Sequence, residues 1–201
     1  MREPRALDKL AQALLQLPMI NPKPRPCEDG AIAAAGHLSG LSLGKRNWVL
    51  VTGILASTIS YVDESVVNVA LPAIEADLLA SVAVMQWLIN AYTLSLAALV
   101  LLGGAAGDRF GRKRVFMLGV TVFAATSLWC GLAGDITQLI AARALQGVGA
   151  ALLIPCSLAL IGAAFDDSSR GRAIGTWAGF SAIAAAIGPL LGGWIVDHTS
   201  W

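Results

Sequence analysis

A chain of 201 residues with 56% hydrophobic and only 13% charged side chains is far from the roughly one-quarter charged content of a soluble domain, and reads as a membrane protein. Its net charge of +1 points to no acidic or basic partner, so the placement of the cations carries the information rather than their number. Cys27, Cys130 and Cys156 have no metal or redox spacing, and the chain holds no zinc pattern, phosphate loop, nucleophile elbow or nucleic-acid module; no enzyme, cofactor, metal or nucleic-acid role is expected.

Residues 1–46 differ in kind from the rest. Leu7, Leu10, Leu14 and Leu17 recur at helical spacing, and Pro18, Pro22, Pro24 and Pro26 then break the pattern. This stretch is read as a flexible cytoplasmic leader, with a start codon misplaced upstream of the real protein as the alternative.

The first span, Trp48 to Leu71, is entered through Lys45 and Arg46 and left through Pro72, Glu75 and Asp77. It contains Asp63 and Glu64. A charge at the centre of a membrane helix costs on the order of 3 kcal/mol or more, so it normally faces protein or a wet cavity. The two carboxylates point about 100° apart on a helix, whereas Glu64 and Asn68, four apart, share a face. The second span, about Val84 to Gly107, opens with a short polar stripe of Gln86 and Asn90, and Trp87 and Tyr92 are read as interfacial anchors.

Between Gly104 and Arg114 lies a short charged turn set between two uncharged runs, Val82–Gly107 and Val115–Gly134. Each run is about the 20 residues needed to cross a bilayer, so the pair is expected to form an antiparallel helical hairpin. The third span, Val115 to Ala133, has no side chain more polar than Thr or Ser and is expected to be scaffold. The outer turn Gly134-Asp135 leads to a fourth span, Ile136 to Phe165, which carries Arg143 and Gln146. A guanidinium stays charged and must find carboxylates, carbonyls or water there. A structural ion pair and a bias on a nearby carboxylate's protonation both remain open. After Asp166, Asp167, Arg170 and Arg172, a fifth span runs from about Ala173 to Val196, with Ala184, Gly188 and Gly192 forming a small-residue stripe suited to close helix contact. Lys45 and Arg46, the four cations Arg109, Arg112, Lys113 and Arg114, and then Arg170 and Arg172 fall on alternate turns, which places the N-terminus inside with five spans.

The loop Gly104, Asp108, Arg109, Gly111, Arg112, Lys113 resembles the signature loop between the second and third helices of the major facilitator superfamily of secondary transporters, with Ala106 in place of the usual Leu. Asp63-Glu-Ser-Val-Val-Asn-Val-Ala-Leu-Pro72 resembles the first-helix motif of its drug:proton antiporters; Ser65 stands for the usual Thr, and Glu64 sits at a variable position that inherits no family role. Leu139 to Ala151, with Arg143 and Gln146, resembles the fourth-helix motif. Gly175 followed by Gly188-Pro189-Leu-Leu-Gly192-Gly193 resembles the fifth-helix motif of the antiporters, with Ala184 replacing one glycine.

What the resemblance implies is an all-α membrane protein: an incomplete N-terminal six-helix half of a major facilitator superfamily fold, five transmembrane helices being present in a partial domain over residues 47–201. It implies an N-terminal fragment of a fourteen-helix multidrug efflux type, a proton-coupled antiporter of drugs or other small lipophilic compounds in the cell (inner) membrane, without cofactor. The candidate proton-coupling or substrate residues are Asp63, Asn68, Arg143 and Gln146 from the motifs, with Glu64 added for its charge alone, and the implied partners are a small-molecule substrate, protons, the lipid bilayer and a missing C-terminal portion. The alternative is a non-transporting membrane half-protein that assembles with or binds another subunit.

Overall fold

The structure, a computed structural model, describes residues 42–198. The amphipathic and proline-rich segments expected before residue 42 lie outside the described residues. Five α-helices follow one another: α1 Leu43–Leu78, α2 Val82–Phe110, α3 Arg112–Gly131, α4 Ile136–Ala164 and α5 Asp167–His198. All five are long and apolar enough to cross a membrane. The shortest, α3, has 20 residues, about 30 Å of helix and hence one bilayer core.

α1 does not end at Pro72. The proline lies inside the helix, which runs on to Leu78 and closes through Leu79, whose left-handed backbone (φ 46°) lets its N–H donate to the Glu75 carbonyl. Pro155 and Pro189 are likewise internal to α4 and α5. A proline deletes one N–H and leaves the carbonyl four residues earlier without its helical donor, which a membrane helix tolerates where a neighbour compensates. At Pro189 the freed carbonyl is that of Ala185, and Ser65 of α1 donates its hydroxyl to it. At Pro155 the freed carbonyl is that of Ala151, which lies against the backbone of Gly103 in α2, where any side chain would collide with it.

α4 is the central element: 56% of its most apolar window is buried, against at most 28% in any other helix. α2 packs along it in parallel, with Tyr92 at Gly147, Gly103 at Ala151 and Gly107 at Cys156. α3 packs antiparallel to it, with Phe123 at Gly149 and Gly119 at Leu153. Tyr92, Val115, Phe116, Phe123, Ala150, Leu153 and Cys156 form the core of this three-helix group.

α1 pairs with α5. Arg46 bonds Asp166, Trp177 Nε1 donates to Ser57 Oγ and Ser65 bonds Ala185, every pair separated by 120 residues. A constant offset means two parallel helices in fixed register, over 19 positions of α1 or about 28 Å. The small-residue stripe of α5 is the contact surface: Ala184, Gly188 and Gly192 are all buried. A side chain on Gly188 would strike Ser65, and one on Gly192 would meet the Val66 backbone. α1 also crosses α4 antiparallel, and Ser57 Oγ and Ser157 Oγ meet at 3.0 Å.

Candidate functional site

The charges of α1 and α4 meet where these helices cross. Arg143 and Gln146, three apart, share the face of α4 turned to α1, and α1 presents Asp63 to both. Arg143 Nη1 donates to Asp63 Oδ2 at 2.5 Å and to Gln146 Oε1 at 2.7 Å, while Gln146 Nε2 donates to Asp63 Oδ1 at 2.9 Å. The three side chains close a ring in which both oxygens of the carboxylate are engaged. The Arg143 side chain is 2% exposed and that of Asp63 18%, so one side of the pair is sealed while the other reaches a cavity.

That cavity, about 190 Å³, is bounded by Asp63, Arg143, Gln146, Cys130, Ser127 and apolar side chains of α1, α2 and α4. Tyr92 completes the arginine's surroundings, its ring 4.5 Å from the guanidinium carbon, within cation–π range. Arg143 Nε is buried without a hydrogen-bond partner. Because a buried ion pair is held in place only when its remaining polar atoms are satisfied, this unsatisfied donor marks the arginine, rather than the carboxylate, as the under-coordinated member.

Glu64 and Asn68 stand elsewhere. Glu64, half-buried, faces a separate pocket of about 320 Å³ between α1 and α2, together with Tyr61, Tyr92 and Thr93. Asn68 is exposed, and its amide donates to the Glu64 backbone carbonyl of its own helix. The shared face expected for these two is therefore met only by a backbone contact, and Asn68 is not brought to Asp63. Another cavity, about 500 Å³ between α1 and α3, has no charged residue in its walls, and nothing there compares with the Asp63 centre in chemistry.

At the α2–α3 turn, Gly111 adopts φ 99° and ψ 120°, a conformation that L side chains avoid. Arg112 reaches back to Asp108 Oδ1 through Nε (3.1 Å) and Nη2 (3.0 Å), and its Nη1 points to the Ala159 carbonyl of α4 at 3.4 Å. Asp108 is largely exposed, with Arg112 at 22%. Arg109 stacks on neighbouring Phe110 and, like Lys113, faces outward. Gly104 is only loosely packed, near Pro155. In α5, Gly188 and Gly192 are needed for the α1 contact and Pro189 for the carbonyl that Ser65 takes, whereas a side chain would meet nothing within 4 Å at Gly175 and only Val69 at 3.9 Å from Gly193.

Two partners were not anticipated. Tyr92, read above as an interfacial anchor, is 1% exposed. The signal was present in Met85, Leu88 and Tyr92, whose three- and four-residue spacing marks the buried stripe of α2. Gln86 and Asn90 lie on the opposite, exposed face. Arg46, read as a topological cation, packs 4.9 Å over the Phe165 ring, donates to Asp166 Oδ2 at 2.9 Å and to Ser169 Oγ at 3.2 Å, and so ties the start of α1 to the α4–α5 turn.

The family model described as Major Facilitator Superfamily matches residues 34–201. Among curated proteins, the puromycin resistance protein pur8 of Streptomyces alboniger is 44% identical over 158 residues, covering 78% of this chain and 31% of the relative. The tetracenomycin C resistance and export protein of Streptomyces glaucescens is 36% identical over 170 residues, 84% of this chain and 32% of the relative. The multidrug transporter protein MdtP of Bacillus subtilis is 37% identical over 157 residues, 78% of this chain and 29% of the relative. The chain thus spans about a third of the length of these relatives.

Proposed function

The chain belongs to the Major Facilitator Superfamily, and from that premise we propose that it acts in proton-coupled antiport, exporting drugs or other small lipophilic compounds across the cell (inner) membrane with its N-terminus on the cytoplasmic side. Relatives named for antibiotic resistance, export and multidrug transport support the efflux reading. The cation-bearing turns on alternate sides support the orientation.

The observation that carries the coupling mechanism is the Asp63 ring. An ionised Asp63 holds Arg143 and Gln146 to α1; a proton on the carboxylate removes its charge and one acceptor site, so the hold of α1 on α4 loosens. Proton uptake and release thereby bias how α1 meets α4, which is the differential interaction that an alternating-access carrier needs. The loop pair Asp108–Arg112 serves the same exchange at one membrane face, its charge-assisted bonds made in one state and released in the other.

Asp63→Asn keeps size and hydrogen bonding but cannot titrate. In inverted vesicles energised by a pH gradient, with puromycin as the probe, the variant is expected to lose uphill transport at normal expression. Uphill transport at the normal rate with unchanged pH dependence would remove Asp63 from the coupling role.

A further inference from the structure

The helix α3, expected from its sequence to be scaffold, sends one side chain to the Asp63 ring. Cys130 shares a cavity wall with Asp63, Arg143 and Gln146, and its thiol donates to Gln146 Oε1 at 3.7 Å, a length suited to the large sulfur atom. The rest of the side chain packs against the apolar group that contains Leu88 and Leu139. A thiol fits this place because it behaves as a small hydrophobe with a weak donor at its tip.

Gln146 is the member of the ring whose bonding depends on which way round it sits. Its amide carries an acceptor at one end and two donors at the other, in nearly the same shape. As it stands, Oε1 receives Arg143 Nη1 at 2.7 Å and the Cys130 thiol, while Nε2 donates to Asp63 Oδ1 at 2.9 Å. Turned over, the amide would set its donors against the guanidinium and the thiol, and its oxygen against the carboxylate. An ionised Asp63 opposes that reversal by itself. A protonated Asp63 does not, because its O–H can donate to the amide oxygen, and the orientation then rests on the two donors behind Gln146: Arg143 of the same helix and Cys130 of α3.

We propose that Cys130 is a positioning residue of the proton-handling centre, its thiol holding the Gln146 carbonyl so that Nε2 stays aimed at Asp63 whether or not the carboxylate carries a proton. This rests on the carrier reading above and gives α3 a part in it. An amide N–H aimed at Asp63 favours the ionised form, whereas an amide oxygen in the same place accepts from the acid and favours the protonated form. The charged or titratable groups around Asp63 are Arg143 of α4, Tyr92 of α2 and Cys130 of α3, with Tyr61 and Glu64 on α1 itself; α5 has none between Ala173 and Val196. Loss of the thiol therefore moves the centre toward its protonated form while leaving Arg143 in place.

Two measurements on the whole chain test this. The first is the infrared S–H stretching band after Cys27→Ser and Cys156→Ser, which leave Cys130 as the sole thiol. The band is expected at the lowered frequency of a hydrogen-bonded thiol, and at the free-thiol frequency in Gln146→Leu; amide absorption in the same spectra reports whether helix content is kept, and the parent band decides alone should Gln146→Leu not fold. The second is the pH profile of puromycin export in inverted vesicles. Cys130→Val, close in size, and Cys130→Ala, truncated, are both expected to move its midpoint up by about 0.3–0.5 pH unit, a two- to threefold change that suits the low end of a hydrogen bond's net contribution. A free-thiol band in the parent chain, a band unmoved by Gln146→Leu, a profile unchanged in both Cys130 variants, or a shift in Cys130→Ala alone, the mark of lost packing, would overturn the assignment. The infrared measurement needs no transport, so a bonded thiol in a chain that does not export puromycin supports the contact and counts against the carrier reading.

Discussion

Ser65 of α1 donates its hydroxyl to the carbonyl of Ala185 in α5 at 2.9 Å, the carbonyl that Pro189, four residues on, leaves without a helical N–H. The Gly188-Pro189 step and the hydroxyl of the first-helix motif are therefore two halves of one contact: the proline creates an unsatisfied acceptor, and the glycine admits the side chain that satisfies it.

Removing either half should loosen the α1–α5 pair. Ser65→Ala strands an acceptor and is expected to cost about 1–3 kcal/mol, while Gly188→Ala drives a methyl into Ser65 at a cost of roughly 1–3 kcal/mol. Loss of helicity in mixed micelles titrated with dodecyl sulfate measures both. Because they strike one contact, the double variant should cost less than the sum.

The Asp63–Arg143 pair is expected to be strongly coupled. Arg143→Met leaves a carboxylate facing the membrane interior without its cation, at about 3–5 kcal/mol for a buried pair. Asp63→Leu combined with Arg143→Met should recover part of this, with a coupling energy of roughly 0.5–3 kcal/mol in a double-mutant cycle by the same titration. Tyr92→Phe, which keeps the ring face under the guanidinium, should be close to neutral, and Tyr92→Leu should cost about 1–2 kcal/mol.

Much of this architecture was legible from composition alone. Five helices follow from five long apolar runs, interrupted only by Asp63, Glu64 and Arg143, because hydrocarbon leaves a chain so few alternatives. The first span, expected to be left through Pro72, runs on to Leu78, because a proline that would end a helix in water is tolerated inside a membrane helix. The site was half legible. Asp63 and Arg143 stood out as charges that must be satisfied, but their meeting across 80 residues depends on how α1 crosses α4, which periodicity does not encode. Tyr92 was misplaced because an aromatic near a span's end suits both an interface and a core, and only its register with Met85 and Leu88 separates them.

Gly111→Ala should strain the α2–α3 turn by about 1–2 kcal/mol, since φ 99° is unfavourable for an L residue. Asp108→Asn should leave the backbone intact and weaken only the Arg112 contact. We expect the first to lower thermal stability and the second to slow puromycin transport in inverted vesicles with little change in its binding. Equal loss of binding and transport in Asp108→Asn would count against the conformational role of the loop.

Orientation is open to direct labelling. In a background where Cys27, Cys130 and Cys156 are replaced by Ser, Lys113→Cys places a thiol on an exposed position. A membrane-impermeant maleimide should label it in inverted vesicles and not in intact cells. Labelling in intact cells would reverse the topology.

The fixed offset of 120 residues between α1 and α5 also sets a clock. Chains are synthesised at roughly 5–20 residues per second, so about 6–24 s separate the emergence of Ser65 from that of Ala185. Until then the helix bearing Asp63 and Glu64 has reached the bilayer without α5, with only its α4 crossing to pack against. α2, α3 and α4 are close in sequence and can assemble in the order they are made; α1 must be kept from wrong partners while it waits. Newly made chains should be most vulnerable to membrane quality control during that interval, and substitutions in the α1–α5 seam should extend the vulnerability beyond it.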